Sequence, residues 1–139
     1  MRKMSDLIRN QNPLVLLPYI TVREAAEHMR DRRVGAVLVV DETTRLIGIF
    51  TGRDAVCRVV AAGRNPEDVT LGEVMTGSPD TVHSSRAAIE ALRVMQDAHY
   101  RHLPIVDGGK VVGIVSRGDF SGTELDRLDE ETGLWERIA

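Results

Sequence analysis

Aromatic residues are scarce in this chain: two Phe, two Tyr and one Trp make up 4% of its 139 residues. Any core must be built from Val, Leu, Ile, Ala and Met, and the 42% hydrophobic content is enough for one. Cysteine is nearly absent. The single Cys57 excludes an intramolecular disulfide framework and suits a reducing compartment, so a cytoplasmic location is expected. With apolar helical neighbours and no paired base, Cys57 reads as a buried, inert thiol. Positive charge is not in excess. A formal net charge of −3 argues against nucleic acid or an anionic membrane held by bulk charge. No apolar run approaches the ~20 residues of a bilayer span. The stretch Met1 to Asp6 has no apolar segment behind it, so no signal peptide is expected. Catalytic constellations are missing too: no nucleophile–base pair, no Walker-type loop, no Gly-x-Gly-x-x-Gly after a strand. An enzyme is not expected. His99-x-x-His102 lacks a third ligand at useful spacing, so no metal site is expected either.

What the chain does contain, it contains twice. Gly48-Ile-Phe-Thr-Gly-Arg-Asp54 returns as Gly113-Ile-Val-Ser-Arg-Gly-Asp119, 65 residues later. Upstream, Met29 matches Met95, Val40 matches Val106 and Asp41 matches Asp107, 66 residues apart. The register slips by one between Asp41 and Gly48, where Glu42-Thr43-Thr44-Arg45 faces the shorter Gly108-Gly109-Lys110. A length change confined to a turn is what structural repeats tolerate.

Each copy has the same grammar. An extended stretch (14–17; 80–83) leads into a helix. In the first copy Thr21 and Glu24 have capping-box spacing, and Val22, Ala25, Ala26 and Met29 follow at helical intervals, as Ala88, Ala91, Leu92 and Met95 do in the second. Two apolar strands come next (37–40 and 46–50; 103–106 and 111–115), short enough to be buried on both faces. A second helix opens at Thr51 or Ser116. It should bury Ala55, Val56, Val59 and Val60 in the first copy, and Phe120, Leu125 and Leu128 in the second. Gly63-Arg64-Asn65-Pro66 is a helix stop and linker. The expected class is mixed α/β with β-α-β-β-α order twice, divided as 1–65 and 66–139. A copy of about 60 residues is marginal alone, so the two are expected to pack as one pseudo-twofold unit.

With these motifs the chain resembles the tandem CBS-domain (cystathionine β-synthase domain) family. The resemblance rests on the two signatures, on Tyr100-Arg-His-Leu-Pro-Ile-Val-Asp107, and on Leu71-Gly-Glu-Val-Met-Thr76, which is similar to the family's lead-in to a second repeat. It implies a CBS-pair (Bateman) module, commonly a homodimer, with two clefts that hold AMP, ADP, ATP or S-adenosylmethionine, and it implies no required cofactor. In the family pattern the signature Asp takes the ribose hydroxyls and the Thr/Ser hydroxyl takes phosphate. Carried over, one cleft would use Thr51, Arg53 and Asp54, with Gly35, Ala36 and the stretch around Asp80. The other would use Ser116, Arg117 and Asp119, with Arg101, His102, Pro104 and the stretch around Leu14. The first repeat departs from the pattern, because Gly35 and Ala36 replace Arg101 and His102 and cannot donate from side chains. Arg53, opposite Gly118, is a candidate to compensate.

Without the family, the same residues admit two roles. A hydroxyl opening a helix forms an anion site with the nearby backbone N–H groups, and the preceding glycine lets a ligand approach the backbone. Thr51-x-x-Asp54 and Ser116-x-x-Asp119 also have the spacing of a capping box, a structural device. The tail holds the only tryptophan, with Leu134, Trp135 and Ile138 as apolar anchors for packing on the module or across a dimer interface. The expected function is a non-catalytic sensor that binds an adenine nucleotide and signals to a separate, unidentified protein. The alternative is a constitutive dimerisation module with vestigial clefts.

Overall fold

The structure, a computed structural model, describes residues 2–98, 100–120, 122 and 125–127. His99 and the anchors Leu128, Leu134, Trp135 and Ile138 lie outside the described residues. The chain divides into two compact units. A central unit comprises Asn12–Asp80 with Gly108–Val111. A terminal unit joins Met1–Gln11 to Thr81–Asp107 and the chain from Val112 onward.

In the central unit, β1 (Val15–Leu16) runs parallel to β2 (Ala36–Val40), which is antiparallel to β3 (Leu46–Thr51). A two-residue β4 (Thr76–Gly77) extends the sheet in the order β1-β2-β3-β4. Every residue of β2 is buried, as its unbroken apolar run requires. Helix α2 (Val22–Arg32) begins at Thr21, whose hydroxyl accepts the Glu24 N–H at 3.2 Å. It buries Val22 and Ala25 and half-buries Met29, whereas Ala26 faces solvent. Phe50 and Leu71 are fully buried in this core.

The terminal unit repeats this plan around a second core containing Leu92, Met95 and Phe120. Helix α5 (Ala88–Ala98) buries Ala88, Ala91, Leu92 and Met95, the residues its periodicity selects. Strands β5 (His102–Asp107) and β6 (Lys110–Ser116) form a two-stranded sheet, and Val82 bridges Ile105 in parallel where β1 would lie. Strand β6 is not buried on both faces: it alternates, and Val112 is exposed.

The turns explain the one-residue slip. Gly108 and Gly109 have φ of 60° and 83°, the backbone of a two-residue hairpin turn. The longer turn is folded by Asp41, whose Oδ1 accepts the N–H groups of Thr43 (2.9 Å) and Arg45 (3.0 Å). Freed from that task, Asp107 reaches upstream and accepts the Ser84 N–H (3.0 Å) and hydroxyl (2.6 Å), and its Oδ1 lies 3.1 Å from His83 Nε2. His83 Nδ1 accepts the Ser85 N–H at 3.1 Å.

Each unit borrows a short helix from elsewhere in the chain. Helix α4 (Leu71–Val74), the lead-in to the second repeat, packs in the central unit, while α1 (Met4–Leu7) packs in the terminal unit. The fastenings are equivalent. Val22 N–H donates to Val69 O and Leu71 N–H to Ile20 O; likewise Ala88 N–H donates to Arg2 O and Met4 N–H to Arg86 O. After α4, Met75 and Thr76 lie over Gly48. A Cβ there would collide with the Met75 side chain and stand 3.0 Å from the Thr76 carbonyl. After α1, Ile8 and Gln11 lie over Gly113, where a Cβ would stand 2.5 Å from Ile8 Cγ2 and 2.9 Å from Gln11 Oε1. This corrects the expectation for the signature glycines: the close approach they permit is that of the protein's own lead-in segments.

The second helices also depart from expectation. In the first repeat α3 (Gly52–Asp54) continues as a π-helical stretch, Ala55–Val60, with Ala61 N–H bonded to Val56 O. The wider turn breaks the 3.6-residue stripe. Val59 is buried, but Val56 and Val60 are 59% and 72% exposed, and Cys57 is an exposed thiol rather than a buried one. In the second repeat the helix does not run through Phe120: a 3₁₀ turn, Arg117–Asp119, leads to an extended Phe120 buried in the core. Helix is found further on at 125–127, with Leu125 packed against that core.

Two outcomes follow. The Gln11 side-chain amide pairs with both backbone groups of Ile114 on β6 (Nε2 to O, 2.8 Å; N to Oε1, 3.0 Å), so Gln11→Ala leaves a part-buried donor and acceptor unmet. It should cost about 1–3 kcal/mol, read as a lower urea midpoint with unchanged slope. The Asp107 carboxyl is held below its ordinary value, chiefly by the Ser84 hydroxyl and then by the Ser84 N–H. A lowered folded-state pKa gives stability that is complete above the ordinary value of about 4 and is lost as pH falls through the folded one. Thermal midpoints should therefore fall as pH drops below about 4, and fall less for Asp107→Asn.

Candidate functional site

Both signatures place their hydroxyl and carboxylate on a strand-to-helix junction. In the central unit Thr51 is the last residue of β3, opposite Ala36 across the sheet. Gly52 N–H donates to the Gly35 carbonyl at 3.1 Å, which shapes the turn. Asp54 Oδ2 accepts the Thr51 N–H (2.9 Å) and hydroxyl (3.2 Å), and Thr51 Oγ1 accepts the Asp54 N–H at 3.3 Å. The structural device anticipated from the spacing is therefore present. In the terminal unit Asp119 Oδ2 takes the Ser116 N–H at 2.7 Å and the Ser116 hydroxyl at 3.3 Å.

The two carboxylates differ in their second oxygen. Asp54 Oδ1 faces the Arg58 guanidinium at 3.6 Å, and the Asp54 side chain is only 14% exposed. Arg58 is itself anchored: its Nη1 donates to the carbonyls of Val74 (3.2 Å) and Met75 (2.9 Å). Asp119 is exposed, and its Oδ1 has no hydrogen-bond or ion-pair partner among the described residues. Sequence reasoning missed Arg58, although an acid four residues before a base on a helix was a legible signal. The matching residue of the second repeat is Thr123, which carries no charge.

The surrounding charges differ as well. His102, half-buried at the start of β5, has its pKa lowered chiefly by burial. Asp119 opposes that shift and Arg101 reinforces it, which puts His102 within electrostatic reach of the second signature. Arg101 and Arg117 are exposed and make no ion pair among the described residues. Near the first signature, Arg53 is exposed, Gly35 is exposed and Ala36 is buried. Asp80 is exposed at the end of the central unit's main segment. Leu14, just before β1, and Pro104, within β5, are buried: Leu14 O accepts the Leu38 N–H and Pro104 O accepts the Val82 N–H. A surface hollow of about 390 Å³ lies elsewhere, lined by Lys3, Ser85, Arg86, Ala87 and Glu90 and by no signature residue. Among the described residues no group of three or more His, Cys, Asp or Glu is placed to hold a metal, and no helix is long and apolar enough to cross a membrane.

The sequence profile of the CBS domain matches this chain twice, over residues 4–60 and 71–123. CBS domain-containing protein CBSCBSPB2 of Arabidopsis thaliana is 40% identical over 108 residues, covering 78% of this chain and 20% of that protein. An uncharacterized protein of Methanopyrus kandleri is 40% identical over 108 residues, covering 77% of this chain and 55% of its own length. The chain thus spans about a fifth and about half of these relatives. A CBS domain protein from Pyrobaculum aerophilum, solved in complex with AMP, superposes with a TM-score of 0.82 at 26% identity, over 92% of this chain and 98% of its own. The CBS domain pair of protein MJ0100, in complex with 5′-methylthioadenosine and S-adenosyl-L-methionine, superposes with a TM-score of 0.76 at 26% identity, over 91% and 98%. With a mixed α/β fold, a duplicated signature and two profile matches that together cover most of its length, the chain belongs to the CBS-domain family.

Proposed function

We propose that this chain is a non-catalytic sensor module that binds an adenine nucleotide (AMP, ADP or ATP) or the related S-adenosylmethionine at its signature residues and communicates occupancy to a separate protein. One observation carries the proposal. Asp119 is oriented by its bond to the Ser116 backbone, yet its other carboxylate oxygen has no partner among the described residues, with His102, Arg101 and Arg117 supplying donors nearby. A carboxylate oxygen accepts the hydroxyls of a ribose, and guanidinium groups pair with phosphate. Capping and ligand binding are then compatible, because they use different oxygens of one side chain. The AMP complex of the Pyrobaculum relative supports the ligand class.

A second reading, a constitutive pairing module that forms a homodimer, is favoured by the exposed valines of the π-helical stretch, Val56 and Val60. Apolar side chains exposed together on one helix are a feature of docking faces.

The two readings separate in a thermal-shift panel with AMP, ADP, ATP and S-adenosylmethionine on protein freed of carried-over ligand. A bound ligand at 100 times its dissociation constant should add about 2.7 kcal/mol of stability. Asp119→Asn, which retains an acceptor for the Ser116 N–H, should abolish the shift while leaving the unliganded midpoint nearly unchanged. If no ligand moves the wild-type midpoint, the sensor proposal fails and the pairing reading stands.

A further inference from the structure

The two signatures match in hydroxyl and carboxylate but not in what holds the second carboxylate oxygen. At the first, Arg58 lies against Asp54 Oδ1 at 3.6 Å while its Nη1 is held by the carbonyls of Val74 and Met75. Those carbonyls end α4, the lead-in helix fastened to α2 by backbone hydrogen bonds, so the guanidinium is positioned by fixed main chain. A surface ion pair is worth little when both partners are free to move. Here both are anchored: the Arg58 side chain, 48% exposed, is tied to two carbonyls, and Asp54, 14% exposed, has its other oxygen committed to Thr51. A ribose hydroxyl arriving at Asp54 would have to compete for Oδ1 with this anchored guanidinium and weaken the ion pair. Arg58 is also poorly placed to receive a phosphate, because Asp54 balances its charge and two carbonyls hold its Nη1. The neighbouring Gly35 and Ala36 offer no side-chain donor. The second signature differs, although a guanidinium is near there too: Arg2 Nη2 donates to the Asp119 backbone carbonyl at 3.3 Å. Thr123 replaces Arg58, Asp119 Oδ1 is uncommitted among the described residues, and Arg101 and His102 replace Gly35 and Ala36.

Resting on the proposed function, we infer that Arg58 closes the first signature to ligand, so that each chain binds one adenine nucleotide, at Ser116 and Asp119. Arg58 is then a specificity-determining residue that acts by occupying its own repeat's ribose acceptor. The duplicated motif has kept its cap in both copies and its binding capacity in one.

Isothermal titration of the full chain with AMP, and in parallel with S-adenosylmethionine, tests this directly. The expected stoichiometry is one per chain, with heat abolished by Asp119→Asn. Arg58→Gln should add a second, weaker equivalent, at least tenfold lower in affinity because Gly35 and Ala36 supply no donor, and Arg58→Gln/Asp54→Asn should remove it again. Two equivalents per wild-type chain, or wild-type heat that survives Asp119→Asn, would overturn the assignment while leaving the sensor function intact. Absence of heat with both probes would overturn the sensor function and this inference together. The wild-type stoichiometry decides between these outcomes even where a variant fails to fold.

Discussion

The constraint on which the rest depends is the backbone fastening between each long helix and a short helix borrowed from elsewhere in the chain. The first N–H groups of a helix have no partner within it. Here Val22 and Ala88 N–H find theirs in the carbonyls of Val69 and Arg2, and Leu71 and Met4 N–H find theirs in Ile20 and Arg86. Four orphan donors are met by four loop carbonyls in two reciprocal pairs. Once fastened, the chain beyond each short helix must run across the signature strand, and only glycine at 48 and 113 leaves room for it. The glycine that opens each signature is thus a consequence of how the helices begin.

The same geometry sets the signature carboxylates. Leaving the strand at Thr51 or Ser116, the chain turns sharply and exposes one backbone N–H, which the Asp three residues later accepts. That bond fixes one oxygen and thereby aims the other. In the first copy the aimed oxygen meets Arg58, one helical turn further on. In the second, Asp119 Oδ1 meets no partner among the described residues, and the sequence position that matches Arg58 holds Thr123. A backbone requirement shared by both copies and a side-chain difference between them together determine which acceptor is available. Such an asymmetry is invisible in the motif itself, which ends at the Asp.

Much of the fold was legible in the residues. The 3.6-residue stripe of Ala88, Ala91, Leu92 and Met95 is buried as read, and the apolar run at Val37–Val40 forms a strand buried along its length. The turn slip at Glu42–Arg45 has its cause in Asp41 and the two glycines opposite. The misses have physical reasons. Ala55, Val56, Val59 and Val60 form a helical stripe only at 3.6 residues per turn, and the π-helical stretch turns Val56 and Val60 outward, with Cys57 exposed beside them. Phe120 interrupts its helix with an extended backbone and is buried in the terminal core, which the helical spacing did not signal. The opening residues were read only for targeting, yet Met4, Leu7 and Ile8 repeat the spacing of Leu71, Val74 and Met75 exactly 67 residues earlier, and Met4 is fully buried. At the site, the capping geometry was foreseen. The Asp54–Arg58 pair was legible from its four-residue spacing but was passed over. The anchoring of Arg58 by the Val74 and Met75 carbonyls was not legible, because they are distant in sequence and act through the main chain.

Duplication makes these differences interpretable. Where both copies need the same main-chain bond, the residue types coincide: glycine at 48 and 113, a hydroxyl at 51 and 116, aspartate at 54 and 119. Where a side chain serves only its own copy, the types diverge, as with Arg53 and Gly118, or Ala36 and His102. Asp41 and Asp107 show the mechanism at its simplest. A one-residue change in turn length decides whether the same carboxylate folds the turn beside it or ties down Ser84, far upstream. A repeat can therefore keep its residue and change its task when the neighbouring backbone supplies a different donor. The signature aspartates obey the same rule, with the donor supplied by an arginine in place of a turn.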